Sequence, residues 1–156
     1  MEARLNLFAS PVAVKAWKHI IAASKVLGES TLPAATRELV MLRASQINGC
    51  AGCIDMHTKE AAAAGETAVR LHLVVAWREA TVFTDAERAA LELTEEATRI
   101  ADAAGGVPDA VWANAAKYYD EDQLAALVTQ IAVINAFNRG NVIVQQPAGD
   151  YEPGRH

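Results

Sequence analysis

Apolar positions along this chain recur at helical rather than strand spacing. Toward the C-terminal end Leu124, Leu127, Val128, Ile131, Ile134 and Phe137 fall largely on one helical face. Upstream, Ala90, Leu93, Ala97, Ile100 and Ala104 form a second such stripe. The punctuation between stripes agrees. Ser10-Pro11 supplies a cap followed by proline at the first helical position, and Gly28 ends that helix. Pro33 opens a second helix to about Ile47, stopped by Asn48-Gly49. A third helix runs from about Cys50 to Ala64 and ends at Gly65, and a shorter one covers about Thr67 to Thr81. Thr84-Asp85-Ala86-Glu87 has capping-box spacing ahead of the Ala90 stripe, which Gly105-Gly106 stops. Pro108 restarts a helix to about Tyr119, and the last helix begins near Asp120. No long β-branched alternation marks a strand, although Asn141-Val142-Ile143-Val144 reads as short extended structure. Pro147, Gly149 and Pro153-Gly154 mark an irregular tail. The pattern predicts an all-α, single-domain bundle over residues 1–146, a tail over 147–156, and a helical hairpin within Thr31–Ala64.

Composition narrows the class. A chain of 156 residues builds one sizeable core, and 52% apolar with 21% charged residues is ordinary for a folded soluble protein. The net charge of −5 comes without any basic run, so neither nucleic acid nor an anionic membrane surface is an expected partner. The apolar runs are shorter than a membrane span, and the N-terminus lacks a signal-peptide pattern. A cytoplasmic setting is expected, where a Cys-x-x-Cys pair is more often catalytic or metal-binding than structural.

The chemistry concentrates at Cys50, Cys53 and His57, which lie at i, i+3 and i+7 and therefore share one helical face. Both cysteines of the chain are here. Two arguments compete over the nucleophile. The helix N-terminus favours an anion at Cys50, whereas the imidazole one turn on favours Cys53. A protonated imidazole is a full charge and a helix end about half of one, which puts Cys53 ahead. Glu38, on the preceding helix, reaches the imidazole or the sulfurs if the Asn48-Gly49 turn folds the two helices together; by position alone it reads rather as a solvated surface glutamate. Zinc on the two sulfurs and His57, with Glu38 or water as a fourth ligand, fits less well, because structural zinc sites draw on two knuckles. No metal or cofactor is assigned. His19, His72, Trp17, Trp77 and Trp112 read as packing or surface residues, His156 lies in the tail, and Asn135 and Asn138 read as helix cross-links.

Glu38, eleven residues, then Cys50-x-x-Cys53-x-x-x-His57 resembles the signature of the AhpD-like alkylhydroperoxidases of the carboxymuconolactone decarboxylase superfamily. So do Arg37-Glu38-Leu39-Val40-Met41-Leu42-Arg43, Asp55-Met56-His57-Thr58, Ala76-Trp77-Arg78-Glu79 and Ile134-Asn135-Ala136-Phe137-Asn138-Arg139, so that the likeness spans about residues 30–140. The resemblance implies an AhpD-like helical bundle assembled as trimers or hexamers. It implies Cys53 as the peroxidatic thiol attacking a hydroperoxide, Cys50 as the resolving thiol, and an external dithiol as reductant. It also implies His57 and Glu38 as parts of a proton relay. One position departs from the pattern: the best-studied branch carries a histidine immediately before the second cysteine, where this chain has Gly52. The expected function is a thiol-dependent peroxidase. The alternatives are a thiol–disulfide oxidoreductase or redox sensor with weak peroxidase activity, a decarboxylase-like enzyme using Glu38 and His57 without sulfur, and a non-catalytic metal-binding or assembly protein.

Overall fold

A computed structural model of the chain describes residues 2–154. Seven α-helices make up these residues: α1 (Pro11–Gly28), α2 (Ala34–Asn48), α3 (Ala51–Ala63), α4 (Ala68–Leu73), α5 (Asp85–Thr98), α6 (Asp109–Ala115) and α7 (Glu121–Val144). No strand occurs among the described residues, as the apolar periodicity predicts.

Helix α2 is the axis of the bundle. Its residues Leu39 to Ser45 are all buried, so it is enclosed on every side, by α3, α5 and α7. A helix apolar on one stripe needs one partner layer; one buried all round needs several. Two apolar clusters flank it. Leu39 and Leu42 pack with Ala61, Leu71, Val74, Trp77, Phe83 and Leu91 on one side. Val40 packs with Leu27, Leu93, Leu127 and Ile131 on the other. Each such leucine contributes about 1.5–3 kcal/mol by leaving water.

The caps read from sequence are made. Ser10 caps α1 with Pro11 following it, and Thr84 and Glu87 form a reciprocal capping box on α5. Gly49 closes α2 at φ 66°, a left-handed conformation that glycine adopts without a Cβ penalty.

Three expectations are corrected. Asn141–Val144 is the last turn of α7, not extended chain, because Val144 is buried and the turn keeps its helical bonding. Helix α5 ends at Thr98, short of the Ala104 to which its stripe runs. Ile100 is 55% exposed, so the stripe has no surface to pack on beyond that point. The helix expected over Thr67–Thr81 is only α4 followed by a 3₁₀ turn, Val74–Ala76. Arg88 donates to the carbonyls of Trp77, Arg78 and Ala80, which a continuing helix would have used itself. Trp77 is buried there, its indole N–H on Glu95, which also binds Arg43 and Arg78. Among the described residues no helix is long and apolar enough to cross a membrane.

Candidate active site at the head of the second helical hairpin arm

Helix α3 begins where α2 stops, and the tight turn at Gly49 sets the two arms side by side. Cys50 is the N-cap of α3, and its Sγ accepts a hydrogen bond from the Cys53 backbone N–H at 3.4 Å. Cys50 and Cys53 are joined as a disulfide with Cα atoms 5.3 Å apart, and both are buried. The spacing that puts two thiols on one face of a first helical turn is what allows this bond.

Glu38 comes from the other arm. Its Oε2 lies 3.1 Å from His57 Nδ1. His57 is buried and Glu38 partly so, which shields the pair from bulk water. An ionised glutamate on Nδ1 holds the ring in the tautomer that leaves Nε2 free to exchange a proton. Glu38 therefore contacts the imidazole and not the sulfurs. No hydrogen bond joins His57 to Cys53 in this disulfide form; the hydrogen bond to Cys53 Sγ comes from Asn141.

The polar neighbour of Cys53 is Asn141, whose Nδ2 donates to its Sγ at 3.3 Å. The sequence reading assigned Asn141 no role. A signal was present: Asn135, Asn138 and Asn141 recur every third residue along α7. Asn48 donates to the Oδ1 of both Asn135 and Asn138 at 2.9 Å, and Asn138 donates to Ser45 Oγ at 3.0 Å. The first two asparagines cross-link α7 to the hairpin, as expected of them, and the third reaches the sulfur. A cavity of about 280 Å³ opens beside it, lined by Cys50, Ala51, Asn141, Val142 and Gln146 among others.

Residues 146–154 fold back over α3. Asp55 accepts from the backbone N–H groups of Gly149 and Tyr151, Lys59 donates to the carbonyls of the same two residues, and Glu60 accepts from Tyr151 Oη and Gly154 N. This strap fills the space beside Gly52, where an added Cβ would meet Gln146 Cγ and the Pro147 carbonyl at 3.6 Å. The remaining histidines and tryptophans stand apart from the site. His19 and His72 are exposed, Trp112 is 46% exposed, Trp17 stacks on Phe137, and His156 lies outside the described residues.

Residues 11–96 match the sequence profile of the carboxymuconolactone decarboxylase family. The chain belongs to that family. It is 41% identical over 128 residues to the uncharacterized protein YdfG of Bacillus subtilis (strain 168), covering 82% of this chain and 86% of YdfG. Among solved structures it is similar to ATU0492 from Agrobacterium tumefaciens, a protein of unknown function described as a candidate antioxidant defence protein AhpD. That likeness has TM-score 0.88 and 32% identity, and covers 96% of this chain and 100% of the other. A peroxidase-related protein from Silicibacter sp. TM1040 shares the fold at TM-score 0.78 and 19% identity, over 92% of this chain and 75% of its own. This family member thus has the all-helical AhpD-like fold, with the Cys-x-x-Cys disulfide at the start of α3.

Proposed function

We propose that this chain is a thiol-dependent peroxidase that turns over through the Cys50–Cys53 disulfide. The observation that carries the reading is that disulfide at the start of α3, with His57 one turn beyond Cys53 on the same helix and held by Glu38 from α2 across the hairpin. In the reduced form the Cys53 thiolate attacks the distal oxygen of a hydroperoxide. The O–O bond breaks, the sulfur becomes a sulfenic acid, and the departing alkoxide takes a proton from His57. Cys50 then attacks the sulfenic sulfur, releasing water and forming the disulfide. An external dithiol returns both sulfurs to thiols and leaves as its own disulfide. Glu38 orients His57 and returns its proton from the half-buried edge of the site. Antioxidant and peroxidase-related names among the structural neighbours support this reading.

The test is hydroperoxide consumption with a dithiol reductant. Cys53→Ser is expected to abolish turnover, and Cys50→Ser to stop it after a single equivalent of peroxide. Full activity in Cys53→Ser would falsify the assignment.

A second reading, a thiol–disulfide oxidoreductase or redox sensor, is favoured by one specific observation. The chain has Gly52 where the resemblance calls for a relay histidine, and the strap packs against that position, with Gln146 Cγ and the Pro147 carbonyl 3.6 Å from where a Cβ would lie. That reading predicts reversible disulfide formation, with a peroxide rate no better than that of a free thiol.

A further inference from the structure

Oxidised, the two sulfurs are not equivalent. Cys50 lines the 280 Å³ cavity together with Asn141, whereas Cys53 does not. The Asn141 carboxamide, which also lines the cavity, donates to Cys53 Sγ at 3.3 Å. An amide N–H gives a weak hydrogen bond to a neutral disulfide sulfur and one about twice as strong to a thiolate, because the latter is charge-assisted. A fixed donor on one sulfur therefore favours every step in which that sulfur gains charge.

We propose that Asn141 is a catalytic hydrogen-bond donor that makes Cys53 the leaving thiolate when an external dithiol, entering the cavity, attacks Cys50. This inference rests on the disulfide cycle described above. The thiolate of the reductant forms a bond to Cys50 Sγ, the Cys50–Cys53 bond breaks, and its electron pair goes to Cys53 Sγ beside the Asn141 N–H. The second thiolate of the reductant then attacks its own mixed-disulfide sulfur. It leaves as an intramolecular disulfide and expels Cys50 as a thiolate, which takes up a proton. Two electrons pass from dithiol to protein.

The opposing feature is that Cys50 Sγ also receives a donor, the Cys53 backbone N–H at 3.4 Å at the helix N-terminus. Both cysteines are buried, and of the two only Cys50 lines the cavity, the side from which an incoming thiolate would approach it along the S–S axis. The titratable groups of α2 and α3 around the motif are engaged with one another, His57 with Glu38 and Asp55 with Lys59. Asn141 carries no titratable group, so its hydrogen bond to the sulfur does not depend on its own protonation state.

Two measurements test this. The Cys53 thiolate is titrated by its ultraviolet absorbance in the single-cysteine background Cys50→Ser, with and without Asn141→Leu or Asn141→Asp. Loss of one hydrogen bond to a charged group raises the thiol pKa by about one unit, and the aspartate by more. In the wild-type disulfide the attack site is read by adding a small monothiol, quenching with acid and locating the adduct by peptide mass spectrometry. The adduct is expected on Cys50, with reduction roughly three-fold slower in Asn141→Leu. Should the leucine variant misfold, the near-isosteric aspartate carries the test. An unshifted pKa in a folded variant, or an adduct on Cys53, overturns the proposal. Neither measurement contains peroxide. A shifted pKa without peroxide turnover would therefore sink the peroxidase reading alone, and turnover with an unshifted pKa would sink the role of Asn141 alone.

Discussion

At the residue scale the site divides by how far each contact reaches along the chain. Cys53 and His57 lie within one short helix that Cys50 caps, so local spacing alone brings the three to one side of it. Glu38 is nineteen positions before His57, across a turn, and its position on α2 was compatible with solvent as much as with the site. Asn141 is 88 positions from Cys53, and reading its segment as extended chain hid the three-residue recurrence of asparagines on α7. The Glu38–His57 contact gives a graded expectation. On the proposed peroxidase cycle, His57→Phe removes the proton donor to the leaving alkoxide and should lower kcat/KM for peroxide by about 100-fold or more. Glu38→Gln keeps an oxygen that accepts from Nδ1–H but loses the charge, so about ten-fold is expected. Steady-state peroxide consumption measures both; unchanged rates in Glu38→Gln would make the pair structural.

At the element scale, the caps were legible because they are local chemistry, whereas helix lengths were not. Arg88 ended the helix after α4 from outside it, and the missing partner beyond Thr98 ended α5. The contact of α1 with α7 is equally invisible in sequence. A Cβ added at Gly140 would lie 2.5 Å from Trp17 Cζ2 and 2.6 Å from its Cη2. Trp17 also stacks on Phe137 with ring centroids 5.5 Å apart, so the indole has little room to retreat. Gly140→Ala gains about 1 kcal/mol of helix propensity, but overpacking costs about 1–3 kcal/mol. Net destabilisation is expected, read as a lower urea midpoint. A midpoint above wild type would show that α1 yields freely.

At the scale of the whole molecule, the C-terminal strap ties the last described residues to α3, and the titratable groups at that contact predict when it lets go. The Lys59 ammonium and two strap N–H groups hold the Asp55 carboxyl below its ordinary range, Lys59 contributing most. The share of that lowering that comes from the Gly149 and Tyr151 N–H groups belongs to docking; it is present above the ordinary carboxylate pKa and is lost as pH falls through the lowered value. Tyr151 behaves oppositely. Burial first, then the hydrogen bond and charge of Glu60 and the charge of Glu38, push it up from 10.0 to about 12. Its contribution is therefore complete below pH 10.0 and lost as pH rises through about 12. The tyrosinate difference spectrum between wild type and Tyr151→Phe should titrate near the upper value. A midpoint at the ordinary tyrosine pKa would mean the strap is not docked in solution.

Periodicity and caps were enough to specify an all-helical bundle, the hairpin, and the face shared by the two cysteines and His57, since each depends on neighbours within a few residues. Folding alone could decide that Glu38 meets the imidazole rather than the sulfurs. It also decided that Asn141 meets Cys53, and that the strap fills the space beside Gly52. Those contacts join residues separated by 19, 88 and about 94 positions, and they exist because α2, α3 and α7 pack along one another. The energy that aligns them is burial of apolar surface, which does not record in the order of residues which polar side chains it will bring together.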